Sequence, residues 1–112
     1  TKFGSAADVI AERAHQQFYM HGTGHWLGLD VHDAGAYRDV SQDDKPSRIL
    51  QAGMALTVEP GIYVRPAPGV PEQFWNIGIR IEDDVVVTPT GYTILSAAAP
   101  KSVADIEKLM QP

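Results

Sequence analysis

The sequence predicts an α+β chain with a mostly antiparallel sheet and flanking helices. Three observations predict it. A capped, helix-periodic stretch stands near each end of the chain. Short β-branched runs punctuated by proline and glycine fill the region between them. No internal repeat or low-complexity tract interrupts this order of helix, strands, helix.

Ser5 to Asp8 reads as a capping box that opens a helix. Ala7, Ile10, Ala11, Ala14 and Phe18 recur on one face at helical spacing, so the helix is expected to reach Met20 to Gly22. Trp26, Leu27, Leu29 and Val31, with Gly28 among them, predict extended structure or a shaped loop between Gly24 and Gly35. Arg38 to Arg48 is rich in charge and carries Pro46, which predicts a surface loop. Met54 to Val64 is a strand interrupted by Pro60-Gly61, and Ala67 to Asn76 is an irregular excursion. Ile77 to Val87 is the clearest strand. Pro89 to Gly91 turns the chain, and Tyr92 to Leu95 returns as a short strand. A last helix is capped by Ser102 with Asp105, and Val103, Ile106, Leu109 and Met110 form its expected inner face.

The length of 112 residues allows one small domain with a real core. Hydrophobic residues are 44% and charged residues 21%, an ordinary globular balance. A net charge of -5 removes the electrostatic case for nucleic acid. The lack of cysteine excludes a disulfide framework and a thiolate metal site, and fits a cytoplasmic protein. No apolar run approaches the ~20 residues that a membrane span needs, and no signal peptide opens the chain. The chain starts at Thr1 without an initiating Met, and is expected to be a piece of a longer protein.

Three of the four histidines, His21, His25 and His32, fall close together among glycines and aspartates. His21 and His25 have the i, i+4 spacing that holds zinc on a helix, but Gly22 and Gly24 argue against a helix there. Ligand and purely structural roles both remain open for this cluster. His15, on the predicted helix, is expected to be exposed and uninvolved. Glu59 ends an apolar strand before Pro60-Gly61, and alternation places it on one face with Thr57. Ile77, Ile79 and Ile81 line one face of the next run, while Gly78, Arg80 and Glu82 line the other. Charges on such a strand are paired, metal-bound, or on a face open to water with Arg80 and Glu82 as neighbours. Asp83 and Asp84 read as a solvated strand edge. One histidine with two glutamates is a hard donor set that suits Mn²⁺, Fe²⁺, Co²⁺ or Zn²⁺.

The run from His21 to Asp33 resembles the histidine segment of the aminopeptidase P and prolidase family. Met54 to Tyr63 and Gly78 to Asp84 resemble its two glutamate segments, in the same order. The resemblance runs from about Tyr19 to Met110, and Val70 to Phe74 looks more like aminopeptidase P than prolidase. It implies the C-terminal half of a pita-bread catalytic domain, residues 1–112 being that portion without the upstream lobe and N-terminal domain. It implies a metal-dependent aminopeptidase that hydrolyses the N-terminal Xaa-Pro bond of peptides through a metal-bridging hydroxide. Two divalent ions are implied, Mn first, with Co, Fe or Zn as alternatives. His25, Glu59 and Glu82 would be ligands, with Glu82 bridging and Glu59 also moving protons. His21 and His32 would line the substrate site, and Arg80 would brace the ligand face.

The family's site uses further aspartate ligands from an upstream strand, which nothing in this sequence matches. The chain by itself is therefore expected to be inactive, and its open surface to favour self-association; the full-length protein is expected to be a homo-oligomer. Prolidase is the nearest enzymatic alternative. A non-catalytic binding module is disfavoured by His25, Glu59, Glu82, His21 and His32 together, and a metal-free creatinase-like hydrolase by Glu59 and Glu82.

Overall fold

The computed structural model describes residues 4–111 of the chain. Its elements are helix α1 (Ala6–Ala11), strands β1 (Ala55–Val58), β2 (Gly61–Val64), β3 (Ile77–Arg80), β4 (Asp83–Thr88) and β5 (Gly91–Ile94), and helix α2 (Val103–Leu109). Short 3-10 turns cover Ala14–Gln17 and Glu72–Phe74. The predicted α+β class with antiparallel pairing is what the chain adopts: every strand pair is antiparallel.

The chain divides into two compact units. One takes Thr1–Thr23 with Glu59–Ile81, and the other takes Gly24–Val58 with Glu82–Pro112. The first holds the β2–β3 ladder, in which Tyr63 faces Gly78 and Gly61 faces Arg80. The second holds a three-stranded sheet in the order β1-β4-β5. Its last β1–β4 pair is Val58 with Asp83, and its last β4–β5 pair toward the same end is Val85 with Ile94.

Helix α1 has the expected capping box, with Ser5 and Asp8 satisfying each other's backbone amides. It stops at Ala11, well short of the Met20 to Gly22 boundary, because Arg13 takes a left-handed backbone (φ 53°) and a 3-10 turn follows. A tertiary bond then sets the path of the chain: the Phe18 carbonyl accepts from the Tyr63 amide at 2.8 Å. His15 lies on the 3-10 turn and is half-buried, not exposed.

The strand expected over Ile77 to Val87 is two strands, broken at Ile81-Glu82. Pro60 is the physical reason. It has no amide to donate, so the Ile81 amide bonds the Pro60 carbonyl at 3.2 Å and no reciprocal bond forms. The Gly24 to Gly35 segment is a shaped loop pinned to β1 by a Trp26–Leu56 bridge, and Arg38 to Arg48 is a loop closed by an Arg38–Ser47 bridge.

The expectation of a real core needs correction. Among the described residues Val85, at 8% exposure, is the single buried hydrophobic side chain. The β2–β3 face that carries Ile62, Ile77, Ile79 and Ile81 lies open, because no described element covers it. The face of α2 expected to point inward, with Val103, Ile106, Leu109 and Met110, is likewise exposed. Asp83 and Asp84 are half-buried, not a solvated edge, because both are bonded by Ser96. No helix among the described residues is long and apolar enough to cross a membrane.

Candidate metal centre

His25 is held through its backbone by Thr57, whose residue is only 1% exposed. The Thr57 hydroxyl accepts from the His25 amide at 3.0 Å, and the Thr57 amide donates to the His25 carbonyl at 2.9 Å. Gly24 permits this close approach, since a Cβ there would run into the Thr57 carbonyl. The His25 ring bonds the Trp26 carbonyl through Nδ1 at 3.0 Å. A carbonyl can only accept, so Nδ1 carries the proton and, in the neutral ring, Nε2 is the basic nitrogen. That tautomer is the one a metal-ligating histidine needs.

Trp26 stacks on Tyr37, with ring centroids 5.6 Å apart and planes at 12°, and its amide donates to the Tyr37 hydroxyl. The His32 ring meets the His25 ring edge-on at 4.0 Å. Glu82 stands one residue before β4, and its carboxylate and the His25 ring offer ligand atoms within 4.8 Å of each other. One divalent ion with bonds of ~2.1 Å nearly spans that gap. Histidine Nε2 and a glutamate oxygen are a donor pair that fits such an ion.

In the other unit Glu59 is 7% exposed, and its amide donates to the Thr23 carbonyl at 2.7 Å. Its carboxylate accepts from Arg80 Nη1 at 3.2 Å. The charged strand face therefore resolves into a pair between Arg80 and Glu59, rather than between Arg80 and Glu82. Arg80 Nε donates to the Tyr63 hydroxyl at 2.6 Å, and that hydroxyl lies 3.0 Å from His21 Nε2. His21 Nδ1 donates to the Gly22 carbonyl at 2.7 Å, so a neutral His21 accepts the Tyr63 proton at Nε2. A continuous chain of polar contacts thus runs Glu59, Arg80, Tyr63, His21.

The six expected site residues fall in these two clusters: His21, Glu59 and Arg80 in the first unit, His25, His32 and Glu82 in the second. Sequence reasoning missed Tyr63 and Thr57 as site residues. A signal for Tyr63 existed. Its cross-strand partner is Gly78, and a Cβ at Gly61 or Gly78 would press on its ring, so two glycines on one strand face make room for one aromatic.

Residues 2–89 match the profile of metallopeptidase family M24. The chain is 55% identical over 107 residues to Xaa-Pro aminopeptidase of Haemophilus influenzae, covering 96% of this chain and 24% of that protein. It is also 55% identical to Xaa-Pro aminopeptidase of Escherichia coli, covering 96% of this chain and 23% of that protein. The solved structure of E. coli aminopeptidase P with the inhibitor Pro-Leu superposes with a TM-score of 0.82 at 53% identity, over 96% of this chain and 23% of that one. The chain thus spans about a quarter of the length of the relatives it matches, and over that span it has the fold of the E. coli enzyme. On the extent of the profile match, the chain belongs to metallopeptidase family M24.

Proposed function

We propose that this chain is the C-terminal, ligand-bearing portion of the catalytic domain of a metal-dependent aminopeptidase that cleaves the N-terminal Xaa-Pro bond of peptides. The observation that carries the reading is the proximity of His25, in its ligating tautomer, to the Glu82 carboxylate, with ligand atoms within 4.8 Å. Glu59 supplies the third ligand. The names and similarity of the bacterial relatives support the substrate class.

Two divalent ions, Mn²⁺ first, would supply Lewis acidity and a nucleophilic water at neutral pH. The residues of the chain do the rest. Glu59 accepts and passes on a proton, with Arg80 fixing its carboxylate by a charge-assisted bond. Tyr63 sets the His21 ring, and His32, in edge contact with His25, lines the substrate side and steadies charge that develops on the scissile carbonyl. The remaining ligands come from outside this sequence, so the chain alone is inactive. In the cell the full-length protein is a cytoplasmic homo-oligomer.

The test is release of the N-terminal residue from an Xaa-Pro-Yaa peptide in Mn²⁺, by this chain and by the full-length protein, each with Glu59→Gln. Activity confined to the full-length protein and abolished by Glu59→Gln is the expected result. Inactivity of both would move the reading to a non-catalytic binding module.

A further inference from the structure

The Glu82 carboxylate has no hydrogen-bond or ion-pair partner among the described residues. Glu59 is different, since Arg80 grips its carboxylate directly. Glu82 also lies outside the strands, in the break between β3 and β4. Its position is therefore set through its backbone, and that backbone is anchored on one side by Asp83.

Asp83 is tied with unusual completeness. Its Oδ1 accepts from the Ser96 hydroxyl at 2.7 Å and from Lys101 Nζ at 2.9 Å. The Asp84 amide donates to the same Ser96 oxygen at 3.0 Å, and the Leu95 amide donates to the Asp84 carbonyl at 2.8 Å. These bonds begin where the β4–β5 ladder stops, beyond the Val85–Ile94 pair. Lys101 spends its other two donors on the carbonyls of Ser96 and Ala99, each at 3.2 Å. The ammonium has three protons and three acceptors, so it is saturated. The two side chains are 28% and 23% exposed, sheltered enough for the pair to hold one geometry.

We infer that Lys101, with Ser96, is a positioning residue for the metal centre: by clamping Asp83 at the head of β4 it fixes where the neighbouring Glu82 presents its carboxylate to His25. This rests on the proposal that His25 and Glu82 are metal ligands. Glu82 is covalently joined to Asp83, so holding Asp83 in one place restricts where the Glu82 backbone can lie. Lys101 itself touches neither metal nor substrate. It acts at a distance, as groups that orient ligands do in other metal sites.

The experiment is titration of the metal-free full-length protein with Mn²⁺ alone, followed by calorimetry and by the electron paramagnetic resonance of free Mn²⁺. Lys101→Met is expected to weaken Mn²⁺ affinity by ~10-fold, the usual scale for loss of an orienting group. Lys101→Arg keeps the charge and is expected to restore most of that loss. Ser96→Ala, which keeps the ammonium, is expected to shift affinity in the same direction by less, and serves if Lys101→Met does not fold. A purely structural role would lower the melting temperature of Lys101→Met and leave the Mn²⁺ affinity of the folded protein unchanged; that result overturns the inference. Glu82→Gln separates the two levels. If it weakens Mn²⁺ binding while Lys101→Met and Ser96→Ala do not, only the positioning role falls. If Glu82→Gln itself leaves affinity intact, the ligand assignment falls and takes the positioning role with it.

Discussion

Thr57 grips His25 at both of its backbone polar groups, accepting from the amide with its hydroxyl and donating to the carbonyl with its own amide. The backbone half of this grip is ordinary pairing of the histidine segment along β1. The hydroxyl half is specific to threonine. Thr57→Val keeps the shape and removes the acceptor, leaving the His25 amide without that partner. The expected cost is about 1–3 kcal/mol of stability, read by denaturant unfolding of the metal-free protein. An unchanged midpoint would mean that water replaces the hydroxyl without loss.

Gly24 has a different role in the same contact. A methyl group there meets the Thr57 carbonyl, which is backbone and cannot turn aside. Gly24→Ala is expected to destabilise by about 1–3 kcal/mol, as overpacking does, and to displace His25. Amide exchange of His25 and Thr57 should quicken in this variant while that of β5 stays unchanged. Uniform exchange rates across both would show that the strain is absorbed elsewhere.

The Tyr63 hydroxyl joins Arg80 to His21. Tyr63→Phe keeps the ring between Gly61 and Gly78 and removes both bonds. In the full-length enzyme kcat on an Xaa-Pro-Yaa peptide is expected to fall by about 10- to 100-fold, the loss expected from a misaligned group. A normal kcat would limit Tyr63 to packing.

Asp39 begins a turn in which its carboxylate accepts from the Ser41 hydroxyl, from the Gln42 side chain and from the Ser41 amide. These bonds, the Ser41 hydroxyl first, favour the ionised form and hold the pKa below the ordinary carboxylate value. Because the folded value is the lower one, the turn gains stability that is fully present above the unfolded pKa. That stability is lost as pH falls through the folded value. Carbon-detected titration should place Asp39 below an unstructured aspartate, and Ser41→Ala should raise it. Coincident titration of the two variants would remove the hydroxyl from the account.

The sequence by itself determined the class of fold, the caps of both helices, the break at Pro60-Gly61 and the six residues placed in the two polar clusters. These are legible because each rests on local chemistry: a capping serine, a proline without an amide, histidines and carboxylates in long motifs. What only the tertiary structure decided is which groups meet. Arg80 turns to Glu59 across the ladder, rather than to Glu82 on its own strand face, because Gly61 stands opposite Arg80 and leaves the way open. The first helix stops early because Arg13 takes a left-handed backbone, and the chain beyond it is held by the Tyr63 amide, more than forty positions away, donating to the Phe18 carbonyl. Periodicity along the chain describes a face and cannot say what covers it, so the open β2–β3 surface and the exposed stripe of α2 read from sequence as core. Thr57, Tyr63 and Lys101 went unnoticed for the same reason: a threonine, a tyrosine or a lysine acquires a role only from the partners that folding brings to it.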